Sequence, residues 1–289
     1  MKKRLIVIVL LILIIGGWVM SKQGGSPSVA ETVEAYYRGE NGLIRNYPEG
    51  EAEYLSESIG LYLDYLVLTK NEQAFQQEFE RLDQYRQTVN QGELLKWKAA
   101  DGVQVNALID DVRIAHALLE AATVFKQEPY KRLSLEIQNG LIAQQFKDNN
   151  WHDFYDWSSL SLSNQVHFSY FNHLAWEAFG WDEAGFERIH LAQVAGSVFY
   201  AERYNTQTDE VEFYHSEQVN LIDQVLIMTQ LEAYTGKVQP LEQWLMDTFN
   251  QTNRLVGRYD RRSGEESVAY EAPAVYALLI THFFEKRGS

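Results

Sequence analysis

Three carboxylates stand where an amphipathic helix should carry apolar side chains. In YLSESIGLYLDYL, Tyr54 to Leu66, the residues three and four places from Glu57 are Glu53, Tyr54, Gly60 and Leu61, so this acid sits on a face whose other members are mostly uncharged. In NALIDDVRIAHALLEA, Asp111 is flanked in the same way by Ala107, Leu108, Ile114 and Ala115, and in SEQVNLIDQVLIMTQLEAY, Asp223 is flanked by Val219, Asn220, Leu226 and Ile227. Asp110 differs: Arg113 lies one turn away, and an ordinary intrahelical pair accounts for it. A buried carboxylate without a partner costs several kcal/mol or takes up a proton. Either each acid finds a Lys, an Arg or a helix N-terminus in the core, or the three share one acidic cleft. Acids in different environments within one cleft suit glycoside hydrolysis, in which a protonated carboxyl assists the leaving oxygen and an ionised one activates water or attacks directly.

Other chemistries have little to work with. The chain has 289 residues and no cysteine, which removes thiol nucleophiles, disulfides and thiolate metal sites. Its seven histidines form no HExxH-like pair, and neither a glycine-rich phosphate loop nor a GxSxG elbow occurs, so neither a cofactor nor a metal is expected. A net charge of −15 speaks against nucleic acid and anionic membrane surfaces as partners. The run WHDFYDW, from Trp151, falls in a predicted loop, where its rings either form a platform for pyranose faces or pack on one another. In FSYFNHLAWEAF, Tyr170 lies at a helix start and is a candidate to face the same mouth as the acids.

These side chains need helices to hold them. Periodicity predicts about eleven helical segments, among them 29–38, 51–69, 71–88, 104–125, 128–146, 166–179, 182–199, 217–235, 239–255 and 268–285, separated by Gly, Asn, Asp and Pro clusters. Only TDEVEFYHSE, 208–217, alternates like a strand. Paired helices without a fixed repeat favour an all-α fold in which hairpins close into a double ring, an (α/α) toroid, over an open solenoid. Ahead of them, MKKR and the apolar run Leu5–Met20 read as an export signal; an uncleaved anchor over 1–21 is favoured over a cleaved leader, with a Gly/Ser/Pro tether at 22–28 and the folded domain at 29–289. The excess of Lys and Arg before the run places the rest of the chain outside the cytoplasm, on the cell membrane or, after cleavage, secreted.

With these residues in hand, the chain resembles glycoside hydrolase family 8, inverting endo-glycosidases with an α/α toroid. SESIGLYL resembles the family's SEGQGYGM, whose Glu is the general acid, and GELLKWK resembles a GLLxWR turn that places Trp97 near the cleft. IDDVRIAHALLEAATVF is similar to AxDxDxxIAxALLxAxxxW from its second Asp, FSYF to PSYF, LIDQVLI to YDAxRxP, and the segment from Gly257 to the closing G-x-Y … SPAxYAAL block. The departures are specific. The first Asp of the AxDxDxxIAxALLxAxxxW motif falls on Ile109, so Asp110 or Asp111 takes its place, periodicity favouring Asp111, and the Arg and Pro that follow the Asp in YDAxRxP are missing after Asp223. The resemblance implies Glu57 as general acid, Asp223 as general base, and Asp111 or Asp110 with Trp97 and Tyr170 as sugar-binding residues, beside Trp151 from the aromatic run. It further implies a divergent, membrane-anchored, Gram-positive branch acting on a β-linked exopolysaccharide beside its synthase. A catalytically silent glycan-binding protein assisting export, and a helical scaffold for a partner protein, are the rival readings.

Overall fold

The computed structural model describes residues 27–288, except Asp182 and Ala184. The expected anchor and most of the tether lie outside the described residues, and among those described no helix is long and apolar enough to cross a membrane. The chain divides into two compact units, Met1–Tyr54 and Leu55–Ser289. In the described part of the first, Ser28 caps the helical turn Val29–Thr32: its hydroxyl accepts from the Glu31 N–H at 3.2 Å, while the Glu31 carboxylate accepts from the Ser28 N–H at 2.7 Å.

The second unit is built on helices α1 (Ser56–Leu68), α2 (Glu72–Arg81), α3 (Leu108–Phe125), α4 (Glu128–Gln145), α5 (His173–Phe179), α6 (Leu221–Thr235), α7 (Pro240–Thr252) and α8 (Pro273–Gly288). Their ends follow local chemistry. Asn71 and Asn172 cap α2 and α5 by accepting the N–H groups of Ala74 and Ala175, and α5 and α6 stop at Gly180 and Gly236 in the left-handed region. Proline opens α7 and stands in the first turn of α4, where its missing N–H costs nothing. Helix α3 packs between α1 and α4, and α6 packs against α5, α7 and α8. The core between them includes Leu63, Leu66, Ile114, Leu118, Ile137, Leu141, Val225, Met228 and Leu231, all buried. Each such side chain contributes about 1.5–3 kcal/mol.

An all-α reading leaves out eleven short strands among the described residues: β1 (Arg86–Val89), β2 (Gly92–Leu95), β3 (Phe146–Lys147), β4 (Asn150–Trp151), β5 (Tyr155–Asp156), β6 (Ser161–Leu162), β7 (Gln165–His167), β8 (Arg203–Asn205), β9 (Glu210–Glu212), β10 (Gln218–Asn220) and β11 (Arg258–Asp260). Most have two or three residues, too few to establish a period in sequence. The predicted helix 71–88 ends early, and its last residues form β1 of a hairpin; 182–199 holds only the 3-10 turn Phe186–Ala192; the start of 166–179 is strand and 3-10 turn. The expected strand in 208–217 is β9, which pairs with β8 in a three-stranded sheet. The β1–β2 hairpin lies on α4 so closely that a methyl group on Gly140 would meet the backbone carbonyl of Glu93. Backbone cannot rotate out of the way, so Gly140→Ala is expected to destabilise the fold by about 3 kcal/mol, read as a lowered urea midpoint with unchanged slope.

Candidate active site

The acids share one construction. Glu57, Asp110 with Asp111, and Asp223 lie in the first turns of α1, α3 and α6, where the positive end of the helix dipole favours a carboxylate. In each case the first helical N–H is taken by the backbone carbonyl of a crossing loop: Ser56 by Trp97 at 2.9 Å, Leu108 by Asp153 at 2.8 Å and Leu221 by Gly257 at 3.1 Å. These loops therefore deliver Trp97, Asp153 and the neighbouring Arg258 to the helix ends that carry the acids.

Glu57 is exposed. Beside it, the Ser56 hydroxyl donates to Asp110 at 2.7 Å, and Arg113 donates to the other Asp110 oxygen at 2.9 Å. The intrahelical pair expected for Asp110 is thus present, yet the same carboxyl also lies within the field of Glu57. Burial raises its pKa, opposed by Arg113 and Ser56 and assisted by Glu57. Across the site, burial likewise raises Asp223, against the pull of the Ser169 hydroxyl, His167, Arg258 and Asn220. Tyr170 joins the two halves: burial raises its phenol, and Asp153, Asp110, Asp223 and Glu57 all push in the same direction. One tyrosine therefore feels Glu57, Asp110 and Asp223 together, three residues spread over more than half of the chain. Trp97 is partly exposed beside the start of α1, with the Lys98 ammonium 4.6 Å from its ring centroid.

Two of the expected sugar-binding residues, Asp111 and Trp151, are buried. Asp111, preferred by periodicity as a sugar ligand, is fully buried; one oxygen accepts from Asn106 at 2.8 Å and from the Leu95 N–H at 3.3 Å, while the other meets no partner. Burial raises the pKa of this carboxyl well above the usual range, opposed by the hydrogen bonds from Asn106 and the Leu95 N–H and assisted by Asp110. Asn106 continues the network to Gln145 and to the Tyr155 N–H. Trp151 is only 3% exposed and is enclosed by Phe146, Trp176 and Trp181, stacked on the last at 4.4 Å. The rings that enclose it come from outside the loop, from β3, α5 and the turn after α5.

Asp153 and His167 are additions that periodicity did not single out. Asp153 sits inside WHDFYDW, where aromatic density drew the attention, and His167 lies two residues before Ser169 on a strand too short to read. Arg258 was passed over in the closing block. A single group of carboxylate and histidine side chains, among the described residues, comes close enough to share a metal ion: Glu232, Glu242 and His282, with ligand atoms within 4.8 Å of one another. His282 Nε2 lies 2.9 Å from Glu242 and 3.5 Å from Glu232, so the trio already closes as a clasp joining α6, α7 and α8.

Asp64 lies two turns beyond Glu57 on α1. Burial lifts its carboxyl to about 7, with Arg113 opposing and Glu120 assisting. Below about pH 4 folded and unfolded chains both hold the proton; as pH rises, the unfolded carboxyl ionises first, so this group's stability is lost until the folded carboxyl also ionises near pH 7. Asp64→Asn is therefore expected to raise stability at pH 8 by on the order of 2–4 kcal/mol and to change nothing at pH 4. Thermal melts at both pH values check this, an equal gain at both contradicting the assigned cause.

No protein-family model matches the chain. It is 29% identical over 252 residues to YdaJ of Bacillus subtilis (strain 168), a lipoprotein by name, spanning 83% of this chain and 67% of that one. Among solved structures, PssZ from Listeria monocytogenes superposes with a TM-score of 0.80 at 28% identity, covering 90% of this chain and 83% of the other. A Clostridium perfringens protein described as an alpha-amylase gives 0.75 at 20% identity, covering 89% and 82%. Endoglucanase Cel10 of Klebsiella pneumoniae, a family 8 glycosyl hydrolase, gives 0.63 at 16% identity, covering 88% and 89%. The chain therefore has the fold of PssZ and of the family 8 glycosyl hydrolase Cel10, and carries Glu57, Asp110 and Asp223 on its helix ends.

Proposed function

We propose that this chain is an extracytoplasmic endo-glycosidase that hydrolyses a secreted polysaccharide with inversion. Glu57, open to solvent at the start of α1, protonates the glycosidic oxygen; Asp223 takes a proton from the attacking water; Asp110, with Tyr170 and Trp97, holds the sugar between them. The observation that carries this is one cavity lined by Arg113, which donates to Asp110, by Ser169, which is hydrogen-bonded to Asp223, and by Tyr170, with the Ser56 hydroxyl beside Glu57 also reaching Asp110. A carboxyl whose pKa is raised by burial, as at Asp223, is also the stronger base once ionised. Inversion needs space for a water, which corresponds to carboxyl groups roughly 6.5–9.5 Å apart.

The apolar run Leu5–Met20 is the proposed tether. A β-linked exopolysaccharide emerging from a synthase is the proposed substrate. Because one structural neighbour is named an endoglucanase and another an alpha-amylase, the assay takes a β-linked and an α-linked glucan beside the host's own secreted polymer. New reducing ends from any of them support the reading. Retention of polymer on the immobilised protein without new ends would replace it with a glycan-binding role in export.

A further inference from the structure

The proposed base has a charged neighbour that the sequence did not assign. His167, the last residue of β7, is fixed twice by one carboxylate: its Nδ1 lies 2.6 Å from Asp153 Oδ2, and its backbone N–H donates to Asp153 Oδ1 at 2.7 Å. Asp153 itself is only 5% exposed. The imidazole stacks on Tyr170, with ring centroids 5.1 Å apart and planes 27° from parallel, and Nε2 has no hydrogen-bond partner among the described residues. Asp223 is tied to the same short segment, its carboxyl hydrogen-bonded to the hydroxyl of Ser169, two residues after His167, and its charge acts on the imidazole.

The groups around the ring come from every element packed there. Asp153, just before β5, and Asp223, on α6, are the acids that face it; Arg203, opposite His167 in the β7–β8 register, is the cation. Arg203 is largely neutralised by Glu212 on β9 at 2.7 Å, and it also covers the face of Tyr214, whose ring lies 6.0 Å from that of His167. Glu202 adds a further negative charge beside Asp223 while accepting the Tyr214 N–H at 2.7 Å, and Arg258 adds a positive one.

We infer that Asp153 and His167 form a positioning pair for Asp223, Asp153 fixing the imidazole by ring and backbone so that it stays against Tyr170 and beside the base. The inference rests on Asp223 being the base proposed above. Burial alone would discharge the imidazole, but the hydrogen bond and charge of Asp153, with the charge of Asp223, outweigh it and raise its pKa. Asp153 is the anchor, because a buried carboxylate gripping both the ring and the backbone of one residue leaves that ring little freedom to turn away. Arg258 shares the electrostatic work, so loss of His167 weakens Asp223 without silencing it.

The pair is tested with His167→Gln, which keeps a donor for Asp153 and discards the charge. On a polymer that the wild type cleaves, the acid limb of kcat/KM is expected to move up by about one pH unit, with KM changing less than twofold. An unmoved acid limb, or a change confined to KM, overturns the inference. A second measurement needs no turnover: the ring of His167, identified in imidazole NMR spectra by its loss in His167→Gln, is titrated in the wild type and in Asp223→Asn. Its midpoint is expected to fall in Asp223→Asn, and an unchanged midpoint overturns the pairing. A wild type that cleaves nothing sinks the hydrolase reading instead, and the NMR titration then still decides whether His167 and Asp223 are coupled.

Discussion

Glu57→Gln is expected to lower turnover of polymer by about 10²–10⁴-fold, the range that a positioned general acid supplies. The substitution keeps the shape and removes only the transferable proton. Because Glu57 is exposed in the first turn of α1 and no core contact depends on it, stability is expected to change by no more than about 0.5 kcal/mol. Loss of activity therefore cannot be blamed on the fold. The role can be separated from mere sugar binding by changing the leaving group. An aryl glycoside with an acidic phenol needs little protonation as it departs, so Glu57→Gln should lose far less on that substrate than on polymer. Equal losses on both would mean that Glu57 holds the substrate rather than protonates it.

Asp223→Asn is expected to have an effect of similar size and a different signature. Asn cannot accept a proton from water, so the loss should be equally deep on aryl glycoside and polymer. The acid limb of the wild-type pH profile, which reports ionisation of the base, should vanish along with it. Stability should move the other way. Burial raises the Asp223 pKa, which means that the folded chain holds its proton more tightly than the unfolded chain and loses stability as pH rises through the folded value. Removing the charge is thus expected to raise the melting temperature at pH 8. A variant that loses both activity and stability at that pH would point to a structural carboxylate instead.

How much of this could be read from the chain depends on what each residue's signal was. Asp223 interrupts an apolar stripe, which can be counted from spacing alone, whereas Glu57 shares an exposed face with Glu53 and Leu61, so the buried face that spacing suggested for it is absent. The same rule misled at Asp110 and Asp111. Periodicity ranks faces by apolar neighbours, which marks Asp111 as the more buried of the two; burial of that depth removes it from the site. Asp110, one residue earlier, points about 100° away around the helix and reaches Ser56 and Arg113. Aromatic density at Trp151 signalled packing, and nothing in the sequence distinguishes a ring that other rings enclose from one that they leave open.

His167 illustrates the remaining gap. Its partner Asp153 is fourteen residues earlier, and the contact exists because the loop after α4 turns back to cap α3 through the Asp153 carbonyl. Such loop-to-loop meetings have no period. The fold was legible at the level of long helices, from α3 with its unbroken run of apolar neighbours to α6, and was not legible in the short strands that pin their N-termini. Those strands and the loops beside them place Trp97, Asp153 and Arg258, and a reading confined to helical periodicity misses these supports.

The central claim is that Glu57 and Asp223 act from opposite sides of a glycosidic bond with a water between them. Proton NMR of the first reducing ends released from the host's secreted polysaccharide, recorded before the anomers equilibrate, tests it most directly. The expected spectrum shows the anomer opposite in configuration to the bond cleaved, absent when either Glu57→Gln or Asp223→Asn replaces the wild type. A product of retained configuration, or release that survives both substitutions, would contradict the account.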